Sequence, residues 1–422
     1  MQNIQDPELL MLQYQQNQND GQNNIKYSLR DMVKHPFFEL AFRPFFILAS
    51  LASLFALVTW LMVLNGHFVW QSSGISTTIW HIHEMLFGFA ATVAVGFILT
   101  AAQTWTKQKS ISGLSLMTYT LLWLLIRVCI YFNTSLTVII AIMLQACWWL
   151  IAIRTFYSMV KKSNNERNFL FVPLLTAMML LNIVILVSDF MGYIELAMHL
   201  SRAGILLFTL LMTILGGRVI PFFTQSGAKT NLVVRPQWLE ILLIPMSLAT
   251  VVFFIISYFI VFPFSAAPLM IMTGCLNLFR LFFWKTSQAL RIPLLWSLHL
   301  AYFLMGLGLI GLGLSYYQLV FLPVQISFSS ALHIITIGAI GLMIFAMMSR
   351  VSLGHTGRML VLNKAVVIAF VLLTASALVR AILPLFNQML YSWNLSGLLW
   401  IVSVVVFLFI YVPVLSQKRQ GR

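Results

Sequence analysis

The chain has 422 residues, of which 60% are hydrophobic and only 8% charged; its mean hydropathy is +0.93 and its formal net charge +15. Soluble domains carry about 25% charged residues, so this composition excludes a soluble enzyme and indicates a polytopic membrane protein. The basic residues are dispersed among short loops rather than gathered in one stripe, which argues against a nucleic-acid partner and for topology signals in a lipid bilayer.

Residues 1–40 form a polar tail rich in Gln and Asn, with no apolar stretch of the kind a signal peptide needs, and are expected to be flexible. Residues 41–416 are expected to form an all-α domain of about twelve membrane-crossing helices with short joints. The spans lie at roughly 44–65, 80–103, 113–132, 136–157, 169–190, 194–214, 238–262, 264–285, 293–314, 328–349, 362–384 and 394–414. Residues 417–422 make a basic tail. Cys129, Cys147 and Cys275 all fall within apolar runs, and no disulfide framework follows from them.

Charge sets the expected orientation. Twenty-two of the 25 Lys and Arg residues fall in alternate joints on one side, which the positive-inside rule makes the cytoplasm, together with both termini. The three exceptions are Arg127, Arg202 and Arg380, each towards the opposite, outer face. Arg127 and Arg380 can snorkel to the interface. Arg202 lies deeper, one turn past His199, where a buried anion such as a heme propionate would satisfy it.

On this topology His81 and His83 open span 2 at its outer end. His199 on span 6 and His333 on span 10 each lie about one turn inside the same face. Four imidazoles at one depth on three spans point to metal or heme ligation, because ionisable groups within a membrane are scarce and tend to be functional. At about 100° per residue His81 and His83 point roughly 200° apart, so one regular helix cannot aim both at one metal. Either they serve two targets or one binds while the other caps. Glu84 is placed on the His81 face, either to orient a ligating imidazole or to favour the helix N-terminus. Gly338 and Gly341, below His333, leave room for a close helix or a flat macrocycle. Met343, Met347 and Met348 read as packing rather than copper ligands. His299 reads as a hydrogen-bonded core residue.

Two polar stretches lie on the cytoplasmic side. In "GGRVIPFFT" (216–224) the glycines and Pro221 are expected to stop span 6, with Arg218 facing the inner headgroups. "SRVSLGHTGR" (349–358) is expected to be a Gly-punctuated loop ringed by Arg350, His355 and Arg358, anchored to headgroups or holding an anion.

Together "FRPFF" (42–46), "WHIHEMLFGF" (80–89), "GGRVIPFFT" and "RVSLGHTGR" (350–358) resemble the NnrS family, in the family's order, from about residue 40 to the C-terminus. One departure is "TAAQTWTKQK" (100–109), where the family has a Val-Pro-Asn-Trp type sequence. The resemblance implies a bacterial inner-membrane protein with heme and copper, associated with denitrification and nitric-oxide stress. It carries over to Arg43, His81, His83, Glu84, Gly217, Arg218, Gly354, His355 and Arg358. The layout also looks like the main subunit of heme–copper oxidases and nitric-oxide reductases, with histidines on spans 2, 6 and 10. Span 7, however, lacks the histidine pair of that copper site. From these readings His83 and His333 are the expected axial pair, while His81 and His199 are candidates for copper or a supporting role. Nitric oxide or a related small molecule is the expected ligand, and no residue identifies a redox partner. Two other readings are a twelve-helix secondary transporter and a membrane factor that handles heme or copper for other complexes. The first would predict half-to-half similarity, which residues 40–215 and 236–415 do not show.

Overall fold

Among the described residues twelve long helices follow one another, joined by turns whose chemistry is legible residue by residue. They are α1 (Phe42–Leu64), α2 (Thr77–Thr106), α3 (Gly113–Phe132), α4 (Ser135–Lys162), α5 (Phe171–Phe190), α6 (Ile194–Gly227), α7 (Gln237–Ile256), α8 (Ala267–Phe282), α9 (Pro293–Leu314), α10 (Phe328–His355), α11 (Lys364–Ile382) and α12 (Met389–Ser416). The computed structural model describes residues 31, 33–69, 73–231, 233–317 and 327–421. The first 30 residues of the polar tail, Met32 and the last residue of the basic tail lie outside this set. Eleven of these helices are long and apolar enough to cross a membrane, and the twelfth, α8, is apolar but only 16 residues long. No strand occurs among the described residues. This is an all-α, multi-pass membrane protein.

Caps explain the joints. Thr134 and Thr137 form a reciprocal capping box at the start of α4, Ser327 caps α10 and Asn363 caps α11. Asn133 ends α3 in the left-handed conformation, with φ 49°, and its amide grips both backbone groups of Ile75. Asp189, at the end of α5, accepts from both the N–H and the hydroxyl of Ser76. These contacts pin the start of α2, the helix that carries two of the histidines.

The second helix of each quartet lies inside. Most of the apolar stretch of α2, α6 and α10 is covered by neighbours, as is that of α9, while the other long helices leave more than half of theirs to lipid. Each inner helix carries His-x4-Gly: His83 with Gly88, His199 with Gly204, His333 with Gly338. In α2 and α10 an eight-residue π-helical stretch follows the histidine, Glu84–Ala91 and Ile334–Gly341. Such stretches are rare and concentrate at functional sites. In α2 the Thr92 hydroxyl bonds the Phe87 carbonyl five residues back and accepts from the Trp123 indole. α3 and α11, the helices that follow, each carry an arginine late, Arg127 and Arg380, and α4 and α12 are both 28 residues long. Counted in fours, the helices that carry these histidines, α2, α6 and α10, are the second of each set.

Two expectations are corrected at the basic end. α6 does not stop at Gly216 and Gly217; it runs on through Pro221 to Gly227. The glycines serve packing instead: a Cβ on Gly217 would overlap the Arg280 guanidinium, and one on Gly216 would lie 3.0 Å from the Tyr302 ring. Likewise α10 continues to His355, so only the residues after it form a loop, with Gly357 at φ +74°. A Cβ on Gly357 would collide with the Gln420 carbonyl. Near the 100–109 departure, α2 ends at Thr106, with Lys107 left-handed at φ 57°.

The "FRPFF" motif is a latch. Phe45 meets Tyr119 and Trp148 edge-on, and Gly96 lets α2 approach it closely. Arg43, wholly buried, donates to the carbonyls of Leu415 (3.0 Å) and Gln417 (2.6 Å) and pairs with Glu39. Arg43→Ala would strand these carbonyls at a cost of about 1–3 kcal/mol. Hydrogen exchange in segment 415–420 should accelerate by about 5- to 150-fold if the segment opens at that cost; unchanged protection would remove the latch role.

Candidate functional site

Two clusters of side chains lie on opposite faces of α2 at the histidine end. The first surrounds His83, whose side chain is fully buried. Its Nδ1 lies 3.1 Å from Glu84 Oε1; the same oxygen accepts from Arg127 at 2.6 Å, and Arg127 also donates to Gln145 Oε1 at 2.8 Å. The chain His83–Glu84–Arg127–Gln145 thus joins α2, α3 and α4. Gly88 makes it possible, because a Cβ there would sit 2.7 Å from the Arg127 guanidinium and 3.1 Å from Glu84. Arg127 also lies over the Trp123 ring. Arg127 therefore does not snorkel; it neutralises a buried carboxylate. The ideal helical wheel put Glu84 with His81, but Arg127 draws it to His83.

His83 Nε2 is buried and has no hydrogen-bond partner. With Nδ1–H donating to Glu84, Nε2 presents a lone pair, which is the arrangement of a metal-ligating imidazole with an orienting carboxylate.

The second takes in His81 and, on α10, the first turn around His333. His81 stacks on Trp60 of α1, with centroids 4.4 Å apart and planes at 10°, and its Nδ1 is buried without a partner. His333 Nδ1 bonds the Ser329 carbonyl at 2.7 Å, which leaves Nε2 as the free nitrogen of that ring. Arg380 donates to the Ser329 hydroxyl (3.0 Å), and Arg202 lies over the Phe328 ring, 4.9 Å from its centroid. Two arginines from different helices thus meet the first turn of α10. Neither has a carboxylate partner among the described residues.

His199 belongs to neither cluster. Its Nε2 is taken by the Phe254 carbonyl at 2.7 Å and its ring stacks on Phe254 at 4.3 Å, so it faces α7. Among the described residues no group of three His, Cys, Asp or Glu side chains could hold a metal. Among α2, α6 and α10 lies a partly open apolar hollow, lined by Phe97, Phe208, Val219, Met343 and Met347 among others.

The remaining motif residues hold the basic end together. Arg218 donates to Asn168 Oδ1 (2.9 Å) and the Arg167 carbonyl (3.1 Å). His355 packs beside Phe42, and Arg358 donates to Gln417 Oε1 at 2.7 Å. His299 is hydrogen-bonded between Thr224 and Thr286, as a core histidine should be. Sequence reasoning missed Gln145 and Trp60, which carry no signal apart from their partners. It also took Arg280 for a loop charge, whereas Arg280 is buried, paired with Glu240, and bonded to the Thr213 carbonyl and Tyr302 hydroxyl.

Compared with known families, the chain matches the description "NnrS protein" over residues 36–419, and no curated protein matches it.

Proposed function

The chain belongs to the NnrS family, and on that premise we propose that it is a heme-binding membrane protein that binds or processes nitric oxide in the bacterial inner membrane, its histidine end periplasmic and its termini cytoplasmic. A heme held there would supply iron chemistry, the binding of nitric oxide and electron exchange. What supports the reading is the unpartnered, carboxylate-oriented Nε2 of His83 in a wholly buried site. Burying a polar nitrogen without a partner costs about 1–3 kcal/mol, which a ligand there relieves.

The geometry favours a division of labour between the two faces of α2. On this reading His81 and His333 would hold the heme, each through the ring nitrogen that no protein group occupies, with Arg202 and Arg380, which have no carboxylate partner among the described residues, available to its propionates. His83, on the opposite face, serves a second ligand, a further heme or a copper ion. With His199 engaged by α7, copper has few donors in this arrangement, and heme is the better-supported cofactor. Nitric oxide is neutral and partitions into lipid, so the apolar cavity between the inner helices suits its approach.

The test is spectroscopic. Protein purified from heme-replete cells should show a Soret band, and His81→Ala and His333→Ala should each abolish a bis-imidazole signal that His83→Ala leaves in place. Arg202→Leu should lower heme content. Absence of any Soret band from wild type overturns the reading.

A further inference from the structure

We propose that the basic end of the molecule carries a binding pocket for the phosphate of an anionic phospholipid, formed by Arg167, Arg218 and Arg235. These arginines come from the short turn before α5, the continuation of α6 and the segment entering α7. They line one concavity with about 1100 Å³ of empty space, together with Gln225, Phe222 and Val234. Arg218 is half-buried and held rigidly, one nitrogen on Asn168 and another on the Arg167 carbonyl, with Phe171 beneath its plane. Its remaining N–H groups are free to meet a ligand, since a guanidinium has five donors.

The charges are unbalanced. Arg218 feels the like charges of Arg167 and Arg235, and the nearest opposing carboxylate, Glu240, is committed to Arg280. No acidic side chain lines the pocket. Three guanidinium groups around one hollow are stabilised by an anion that accepts several N–H bonds at once, which is the chemistry of a phosphodiester.

The rim identifies the source of that phosphate. Phe222 is 64% exposed and Val234 54%, both lining the hollow, and the adjoining first turns of α7 also carry exposed apolar side chains, Trp238 and Ile241. Large apolar side chains at the mouth of a basic hollow suit a headgroup whose acyl chains run along α7; a free phosphate has no use for them. Basic pockets at the ends of membrane helices recognise anionic lipids in this way. The continuation of α6 beyond Gly217 is what carries Arg218, Pro221 and Phe222 to this place.

The experiment uses the full-length protein in nanodiscs containing phosphatidylglycerol, exchanged into phosphatidylcholine and analysed by native mass spectrometry. Wild type is expected to retain at least one phosphatidylglycerol per chain, and Arg167→Gln/Arg235→Gln to lose it, because Arg167 holds Arg218 only through its backbone carbonyl. Arg154→Gln/Arg291→Gln, which removes two exposed charges elsewhere, should retain the lipid. Equal retention by all three proteins, or equal loss in both double variants, overturns the site. Displacement of the lipid signal by millimolar inorganic phosphate in detergent, with no preference between lipids, would reassign the pocket to a soluble anion and overturn the lipid proposal. Heme content is read in the same samples, so failure here is separable from failure of the cofactor reading.

Discussion

Gly217→Ala should prevent recovery of folded protein. α6 passes the Arg280 guanidinium so closely that a methyl group at position 217 would occupy its space. Arg280 cannot step aside: it donates to the Thr213 carbonyl at 2.7 Å and to Tyr302 Oη at 2.9 Å, is paired with Glu240, and is 2% exposed. Tyr302 in turn donates to Asn277 at 2.5 Å, and Thr213 to the same amide oxygen at 3.2 Å. The methyl therefore displaces either α6 or the ion pair. Breaking a buried pair costs about 3–5 kcal/mol, a large part of the roughly 5–15 kcal/mol that keeps a protein folded. Size-exclusion profiles of detergent extracts should show the monodisperse peak lost for Gly217→Ala and kept for Gly216→Ala, whose methyl meets only an aromatic edge at 3.0 Å. Adding Arg280→Met and Glu240→Gln to Gly217→Ala should recover part of the peak, because overlap and unpaired charge are removed together. A normal thermal profile for Gly217→Ala would refute this account of the motif.

Arg127→Leu carries the second large effect. Glu84, 6% exposed, keeps its charge inside the bundle because Arg127 lies 2.6 Å away. Without the guanidinium the carboxylate is stranded among apolar helices, with only His83 beside it and Gln145 also unpaired. The expected cost is about 3–5 kcal/mol, read as a clear fall in melting temperature. Arg127→Leu/Glu84→Leu, which removes both charges, should melt higher than Arg127→Leu alone. The double variant would still lack the group that orients His83, so a ligand on Nε2 should bind about 10–100-fold more weakly. Stability and ligand affinity thus separate: the first is restored by deleting both charges, the second is not. Gly88→Val should mimic the single variant, since its side chain would enter the same space.

The helices were legible because lipid imposes a length and a composition on anything that crosses it. The expected spans near 113–132, 169–190 and 293–314 agree closely with α3, α5 and α9. Where the sequence misled, it did so at the ends of inner helices. "GGRVIPFFT" reads as a stop by every local rule, yet α6 continues, because neighbouring helices support the backbone around Pro221 and the glycines are required by Arg280, 63 residues away. Arg280 itself reads as one more positive loop residue, and only its pairing with Glu240 reveals it as part of the core. The separation of His81 from His83 follows from the roughly 200° between their positions on the helix. What could not be foreseen was that Glu84 and Arg127 side with His83, while His81 stacks on Trp60.

Hydropathy determined that this chain is an all-α, multi-pass membrane protein and roughly where its helices lie, because each is a property of one helix in contact with lipid or water. Which arginine neutralises Glu84, why Gly88 and Gly217 must lack a side chain, that His199 is spoken for, and that three arginines share one hollow were decided only by packing. Those facts depend on contacts between helices far apart in the chain, whose rotation about their own axes no local pattern specifies.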